Sequence, residues 1–249
     1  MNMPKWMRGR GGRAAIWLAA LGVIGAPLVV AAEPGENRWE TNIRAFEERD
    51  KEDPPPKEAI LFAGSSSIVG WDLPKYFPDM KTVNRGFGGS QITDSTHFAG
   101  RIILPHKPKV IVLYAGDNDI AGGKTPEQVA KDLQAFVKKV HDALPETRIL
   151  FIAIKPSIAR WNLVDAMRDA NARIKAITEK DKRLEYVDID TPMIGKDGKP
   201  RPELFKDDGL HLNHEGYLLW TSLVMPYLKP KEEHQGTAPA VPGPKFGDT

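Results

Sequence analysis

Residues 59–67 read Ala-Ile-Leu-Phe-Ala-Gly-Ser-Ser-Ser, and this stretch decides the fold. Asp53-Pro54-Pro55-Pro56 ends any helix before it, because proline lacks the N–H and crowds the preceding turn. The apolar run Ala59 to Ala63 is then too short for a helix and has no polar face, so it reads as a strand buried on both sides. Four more such runs follow: Lys81 to Asn84, Val110 to Tyr114, Ile149 to Ile154 and Tyr186 to Asp190. Their β-branched residues favour a strand.

Helical patterns separate several of these runs. Trp39, Ile43 and Phe46 recur at helical spacing ahead of the first strand. Val129, Leu133, Phe136, Val137, Val140 and Leu144 form one apolar face, opened by Thr125 as N-cap and Pro126 in the first turn. Leu163, Met167, Ala170, Ile174 and Ile177 form a second, and a last helix is predicted from about Glu215 to Leu228. Buried strands alternating with helices predict a five-stranded parallel sheet in a three-layer α/β/α sandwich.

The 249 residues suffice for one sizeable core. The formal charge of +2 includes Lys5, Arg8, Arg10 and Arg13, with no acid before Glu33, so the rest of the chain is slightly acidic. Such a body lacks the basic footprint that phosphate neutralisation requires, which excludes nucleic acid as a partner. The basic start leads into an apolar run from Ala14 to Ala32, broken by Gly22, Gly25 and Pro27 and ending in Val30-Ala31-Ala32. That order predicts a signal peptide over residues 1–32, cleaved near Ala32–Glu33, and a secreted or periplasmic protein without stable membrane insertion. An uncleaved anchor is the other reading, since the run approaches bilayer-spanning length. Cysteine is absent, which removes disulfides, a thiolate nucleophile and a lipid-acceptor cysteine. Residues 33–58 read as an N-terminal helix and Pro-rich linker, 59–230 as one domain, and 231–249 as a disordered tail.

In open α/β sheets ligands bind beyond the carboxyl ends of the strands. The first strand ends in Gly64-Ser65-Ser66-Ser67, the second in Gly86-Phe87-Gly88-Gly89 and the third in Gly116-Asp117-Asn118-Asp119. A serine where strand passes into helix offers its hydroxyl beside free N–H groups that stabilise an oxyanion, although three serines also suit a plain turn and cap. The α/β-hydrolase elbow is not met, because Ile68 replaces the second glycine of G-x-S-x-G. A serine nucleophile needs a base. His97 and His106 fall in a connecting segment, His141 among helical charges and His234 in the tail, which leaves His211 and His214. Asp208 stands three residues before His211, close enough for its carboxylate to orient the imidazole. The alternatives are a surface capping pair or a metal site of Asp208, His211 and His214, for which no second ligand cluster appears. The amide of Asn118 and the N–H of Gly89 are suitable oxyanion donors, although Gly88-Gly89 alone also suits a tight turn and Asp117-Asn118-Asp119 a helix cap.

Taken in order, four blocks resemble those of the SGNH hydrolases, also called GDSL esterases. They are Phe62-Ala63-Gly64-Ser65-Ser66-Ser67-Ile68, Asn84-Arg85-Gly86-Phe87-Gly88-Gly89, Gly116-Asp117-Asn118-Asp119 and Asp208-Gly209-Leu210-His211. The resemblance spans roughly residues 59–228 and implies the flavodoxin-like SGNH hydrolase fold. It implies Ser66 as nucleophile, His211 as base and Asp208 as its orienting acid, with Ser66, Gly89 and Asn118 forming the oxyanion hole. No cofactor and no metal are implied. The family's first block usually reads Gly-Asp-Ser, and here Ser65 replaces the aspartate.

The expected activity is cleavage of carboxylic esters through an acyl-enzyme, on a small-molecule or carbohydrate ester such as acetylated polysaccharide. Lipid esters and thioesters are the second class, and a non-catalytic carbohydrate-binding relative a third, against which the intact Ser66, Asp208, His211 and Asn118 argue. The strand-end segments are short and hold no long apolar insertion, so short acyl groups are expected, with Phe87, Trp71 and Trp161 either as pocket walls or, Trp71 above all, as packing against the core.

Overall fold

The computed structural model describes residues 37–229; the expected leader, its cleavage point and the expected tail lie outside them. β1 (Ile60–Gly64) runs parallel between β2 (Thr82–Gly86) and β3 (Val110–Tyr114). β4 (Arg148–Ile152) and β5 (Leu184–Val187) extend the same parallel sheet, which has the order β2-β1-β3-β4-β5. This is the doubly wound topology expected from the sequence. The strand order reverses between β1 and β3, and at such a switch point the loops after neighbouring strands diverge and leave a crevice.

Side chains alternate across each strand, so the sheet feeds two cores. Leu61 and Ala63 of β1 join Ile111 and Leu113 of β3 in one, while Phe62 joins Val112 and Tyr114 in the other. The first core is covered by α1 (Glu40–Glu52), α4 (Ile92–Ile102), α6 (Pro126–Ala143) and α7 (Val164–Thr178). The second is covered by two one-turn helices, α2 (Ser66–Val69) and α3 (Leu73–Tyr76), and by α8 (His214–Leu228). A further short helix, α5 (Asp117–Ala121), follows β3.

Local signals account for most boundaries. Thr125 Oγ1 accepts from the Gln128 N–H at 3.2 Å and so caps α6, while Asn213 caps α8 by accepting from the Gly216 N–H at 3.1 Å. β5 lies earlier than the run Tyr186 to Asp190 suggests. The Asp188 carboxylate accepts from the Thr191 N–H at 3.2 Å, which turns the chain out of the sheet. The segment expected to be a connection around His97 is the helix α4, closed at its start by reciprocal Gln91 and Asp94 capping. α1 buries Ile43 and Phe46 in the first core, and its Asp50 pairs with Arg85, which is 3% exposed on β2.

Candidate active site

Ser66 takes the first position of α2, directly after its N-cap residue Ser65. The first N–H groups of a helix have no intrahelical acceptor, so the Ser66 N–H is left without a partner inside α2. Ser65 and Ser67 are buried, and neither hydroxyl has a hydrogen-bond partner among the described residues. Ser66 alone of the three is partly exposed.

The residues after β1, β2 and β3 are tied together by hydrogen bonds. The Gly64 carbonyl accepts from the Phe87 N–H at 2.9 Å and from Ser90 Oγ at 3.2 Å. The Ser90 carbonyl in turn accepts from Asn118 Nδ2 at 3.0 Å. Gly89 stands between these contacts with φ of +73°, where an L side chain is strained, and its carbonyl accepts from Arg38 Nη2 at 3.0 Å. The three sequence-predicted strand ends therefore meet at the switch point.

The late segment completes the cluster. His211 Nε2 lies 3.1 Å from Ser66 Oγ, and His211 Nδ1 lies 2.6 Å from Asp208 Oδ2. Asp208 Oδ1 also accepts from the backbone N–H groups of Leu210 and His211, each at 2.9 Å. The His211 ring bond, then these two N–H groups, holds the Asp208 carboxyl well below the usual carboxylate range. An ionised Asp208 at Nδ1 keeps the proton there and leaves Nε2 as acceptor toward the serine. His214 does not join this group. Its Nδ1 lies 2.7 Å from Tyr76 Oη, and no three His, Asp or Glu side chains are gathered for a metal among the described residues.

The aromatic walls expected from the sequence need correction. Trp71 and Phe87 are each 1% exposed and belong to the cores. Trp71 donates its indole N–H to Thr221 Oγ1 at 3.2 Å, and Phe87 packs edge-on against Trp39. Of the three only Trp161 reaches the surface. With Ile158, Asp197, Lys199, Pro200 and Pro202 it lines a cavity of about 340 Å³. Ile158 packs over Gly209, and the Ala159 N–H donates to the Gly209 carbonyl at 3.1 Å, which sets this cavity beside the Asp208–His211 turn.

The segment after β4 was not among the strand ends singled out in the sequence, although the same rule points to it. It contributes Lys155, which bonds Asp117, and Arg160, which bonds Asn118.

Residues 62–219 match the model of the GDSL-like Lipase/Acylhydrolase family. Over 199 residues the chain is 27% identical to platelet-activating factor acetylhydrolase IB subunit alpha2 of Gallus gallus, covering 74% of this chain and 80% of that one. It is similar in structure to a GDSL-like lipase of Bacteroides thetaiotaomicron, with TM-score 0.65 and 19% identity over 75% of this chain and 96% of the other. An acetyl-xylooligosaccharide esterase of Geobacillus gives TM-score 0.56 and 13% identity over 71% and 96%. At these identities the structural likenesses speak to the fold.

Proposed function

This chain belongs to the GDSL-like Lipase/Acylhydrolase family, and we propose that it hydrolyses short-acyl carboxylic esters of carbohydrate alcohols through an acyl-enzyme on Ser66. One observation carries the assignment: the continuous hydrogen-bonded line from Ser66 Oγ through His211 to Asp208. Ser66 attacks the ester carbonyl while His211 Nε2 takes its proton, and Asp208 stabilises the imidazolium that forms. The oxyanion is received by the N–H groups of Ser66 and Gly89 and by Asn118 Nδ2. That amide has two hydrogens, and the Ser90 carbonyl occupies one of them. His211 returns its proton to the departing alcohol, then activates the water that releases the acid.

The short acyl group is supported by the openness of the site, where Asp208 is exposed and Ser66 and His211 partly so. Two of the similar proteins are named for acetyl groups, the acetylhydrolase of Gallus gallus and the acetyl-xylooligosaccharide esterase. A carbohydrate alcohol is supported by the Trp161 cavity, which sets an indole beside the polar Asp197 and Lys199, a pairing that suits a sugar ring. The basic, apolar and small-residue order of residues 1–32 supports export, so the substrate is expected outside the cytoplasm.

The test is hydrolysis of p-nitrophenyl acetate by wild type and Ser66→Ala, with and without EDTA. The proposal expects turnover that needs Ser66 and ignores the chelator. A rate that falls on chelation and returns with zinc would make Asp208 and His211 metal ligands instead.

A further inference from the structure

Beyond β4 the chain runs Lys155-Pro156-Ser157-Ile158-Ala159-Arg160 into a helical turn that begins at Trp161. The side chains of Lys155 and Asp117 are 1% and 5% exposed, and charges so placed persist only when they are matched. Lys155 Nζ bonds Tyr114 Oη and Asp117 Oδ2, each at 3.0 Å. Burial opposes ionisation of Asp117, yet Lys155 and Arg160 outweigh it and hold the carboxyl below its ordinary range. Arg160 is the second cation on one carboxylate, with Nη1 3.1 Å from Asp117 Oδ2. This Nη1 is buried and makes no aligned hydrogen bond, so the attraction there is ionic. The other prong, Nη2, donates to Asn118 Oδ1 at 3.0 Å.

Asn118 is thereby gripped at both ends. A guanidinium has no acceptor, so only Oδ1 can face Arg160, and a carbonyl has no donor, so only Nδ2 can face Ser90. The two contacts allow one orientation of the amide and forbid its flipped form. In the flipped form Oδ1 would point where negative charge develops. Positive charge at Oδ1 also strengthens the N–H bonds on Nδ2 as donors.

We infer that Arg160 is a positioning residue for the oxyanion hole, fixing and polarising the Asn118 amide from an anchor built of Asp117 and Lys155. This rests on the reading of Asn118 as an oxyanion donor. Arg160 makes no hydrogen bond or ion pair with Ser66, His211 or Asp208, so its effect should travel through Asn118.

The test is a double-mutant cycle on p-nitrophenyl acetate with Asn118→Ala, Arg160→Ala and the pair. Asn118→Ala should lower kcat by roughly 10²–10³. Arg160→Ala should lower kcat by about tenfold to a hundredfold with KM changed less than about threefold, and the acid limb of the pH profile should stay in place. On the Asn118→Ala background, loss of Arg160 should change kcat by less than about threefold. If the two losses multiply, or Arg160→Ala keeps full kcat, Arg160 does not act through Asn118 and the oxyanion reading survives without it. If Asn118→Ala itself keeps full kcat, the oxyanion reading fails and this inference with it. Arg160→Met, which keeps the length of the side chain, takes the place of Arg160→Ala in the same cycle if the alanine variant loses its near-ultraviolet circular dichroism.

Discussion

The carbonyl oxygen of Tyr114 occupies the space that a side chain on Gly64 would need, 1.8 Å from an ideal Cβ. The same oxygen accepts from the Ser65 N–H at 3.0 Å, so it also holds the chain that leads into Ser66. Gly64 has φ of +129°, a conformation L residues rarely adopt. Close approach and backbone angle both demand glycine. Gly64→Ala is expected to destabilise the fold by about 3 kcal/mol or more, and to lose esterase activity with it. Urea unfolding checks this; a variant within about 0.5 kcal/mol of wild type would show that the strand ends can separate without cost.

Among the three consecutive serines the expected pattern of alanine variants is uneven. Ser66→Ala should remove nearly all activity. Ser65→Ala and Ser67→Ala should keep a substantial share, because their hydroxyls are buried away from His211. Ser65→Ala should also leave stability unchanged or slightly raised, since an unpaired buried hydroxyl costs about 1–3 kcal/mol. A dead Ser67→Ala with an active Ser66→Ala would displace the nucleophile by one position.

Asp208 supplies a pH test. Its carboxyl is held below the ordinary range first by the His211 ring and then by two backbone N–H groups. A depressed pKa contributes stability above the unfolded value, near 4 for aspartate, and loses it as pH falls through the folded value. The stability that the ionised Asp208 carboxylate gives wild type over Asp208→Asn should therefore be present above about pH 5 and shrink below about pH 4. At neutral pH Asp208→Asn should lower kcat by roughly 10²–10⁴, because an amide can donate to Nδ1 and stabilise the wrong tautomer. A kcat within about threefold of wild type would remove Asp208 from its orienting role.

For substrate choice, acetyl and butyryl esters should exceed decanoyl esters in kcat/KM, since each added CH₂ gains about 0.8 kcal/mol only where apolar surface receives it. Trp161→Ala should raise KM for acetylated oligosaccharides by about tenfold and leave p-nitrophenyl acetate nearly unaffected, since a ring stacked on an indole contributes about 1 kcal/mol or more. A rate that climbs with acyl length would shift the assignment toward lipid esters.

The strands were legible because each is a short run without a polar face, and the carboxyl ends of such strands directed attention to the segments that hold Ser66, Gly89 and Asn118. The structure brings Ser66 to the Asp208–His211 pair, and joins Asn118 to Ser90, the neighbour of Gly89. What escaped was either weakly periodic or distant in sequence. Ile92, Phe98 and Ile102 are separated by Thr, Ser, His and Gly, which hid α4, although its Gln91 and Asp94 caps were readable. The polar neighbours of Trp71 and Phe87 leave wall and core packing both open in the sequence, and backbone direction turns both rings inward. Arg160 meets its amide partner across 42 positions, and no local pattern encodes such a pairing.

Ser66 and His211, nucleophile and base in the proposed mechanism, are separated by 145 positions. During synthesis the ribosome therefore completes Ser66, Asn118 and most of the sheet well before His211 exists. At that stage the hydroxyl has no proton acceptor and is as inert as any surface serine. On the proposed mechanism, reactivity appears only when the segment carrying Asp208 and His211 docks beside Ser66. The proposal therefore expects chains that stop short of His211 to be silent, and recovered turnover on refolding to report docking of the Asp208–His211 segment rather than collapse of the core.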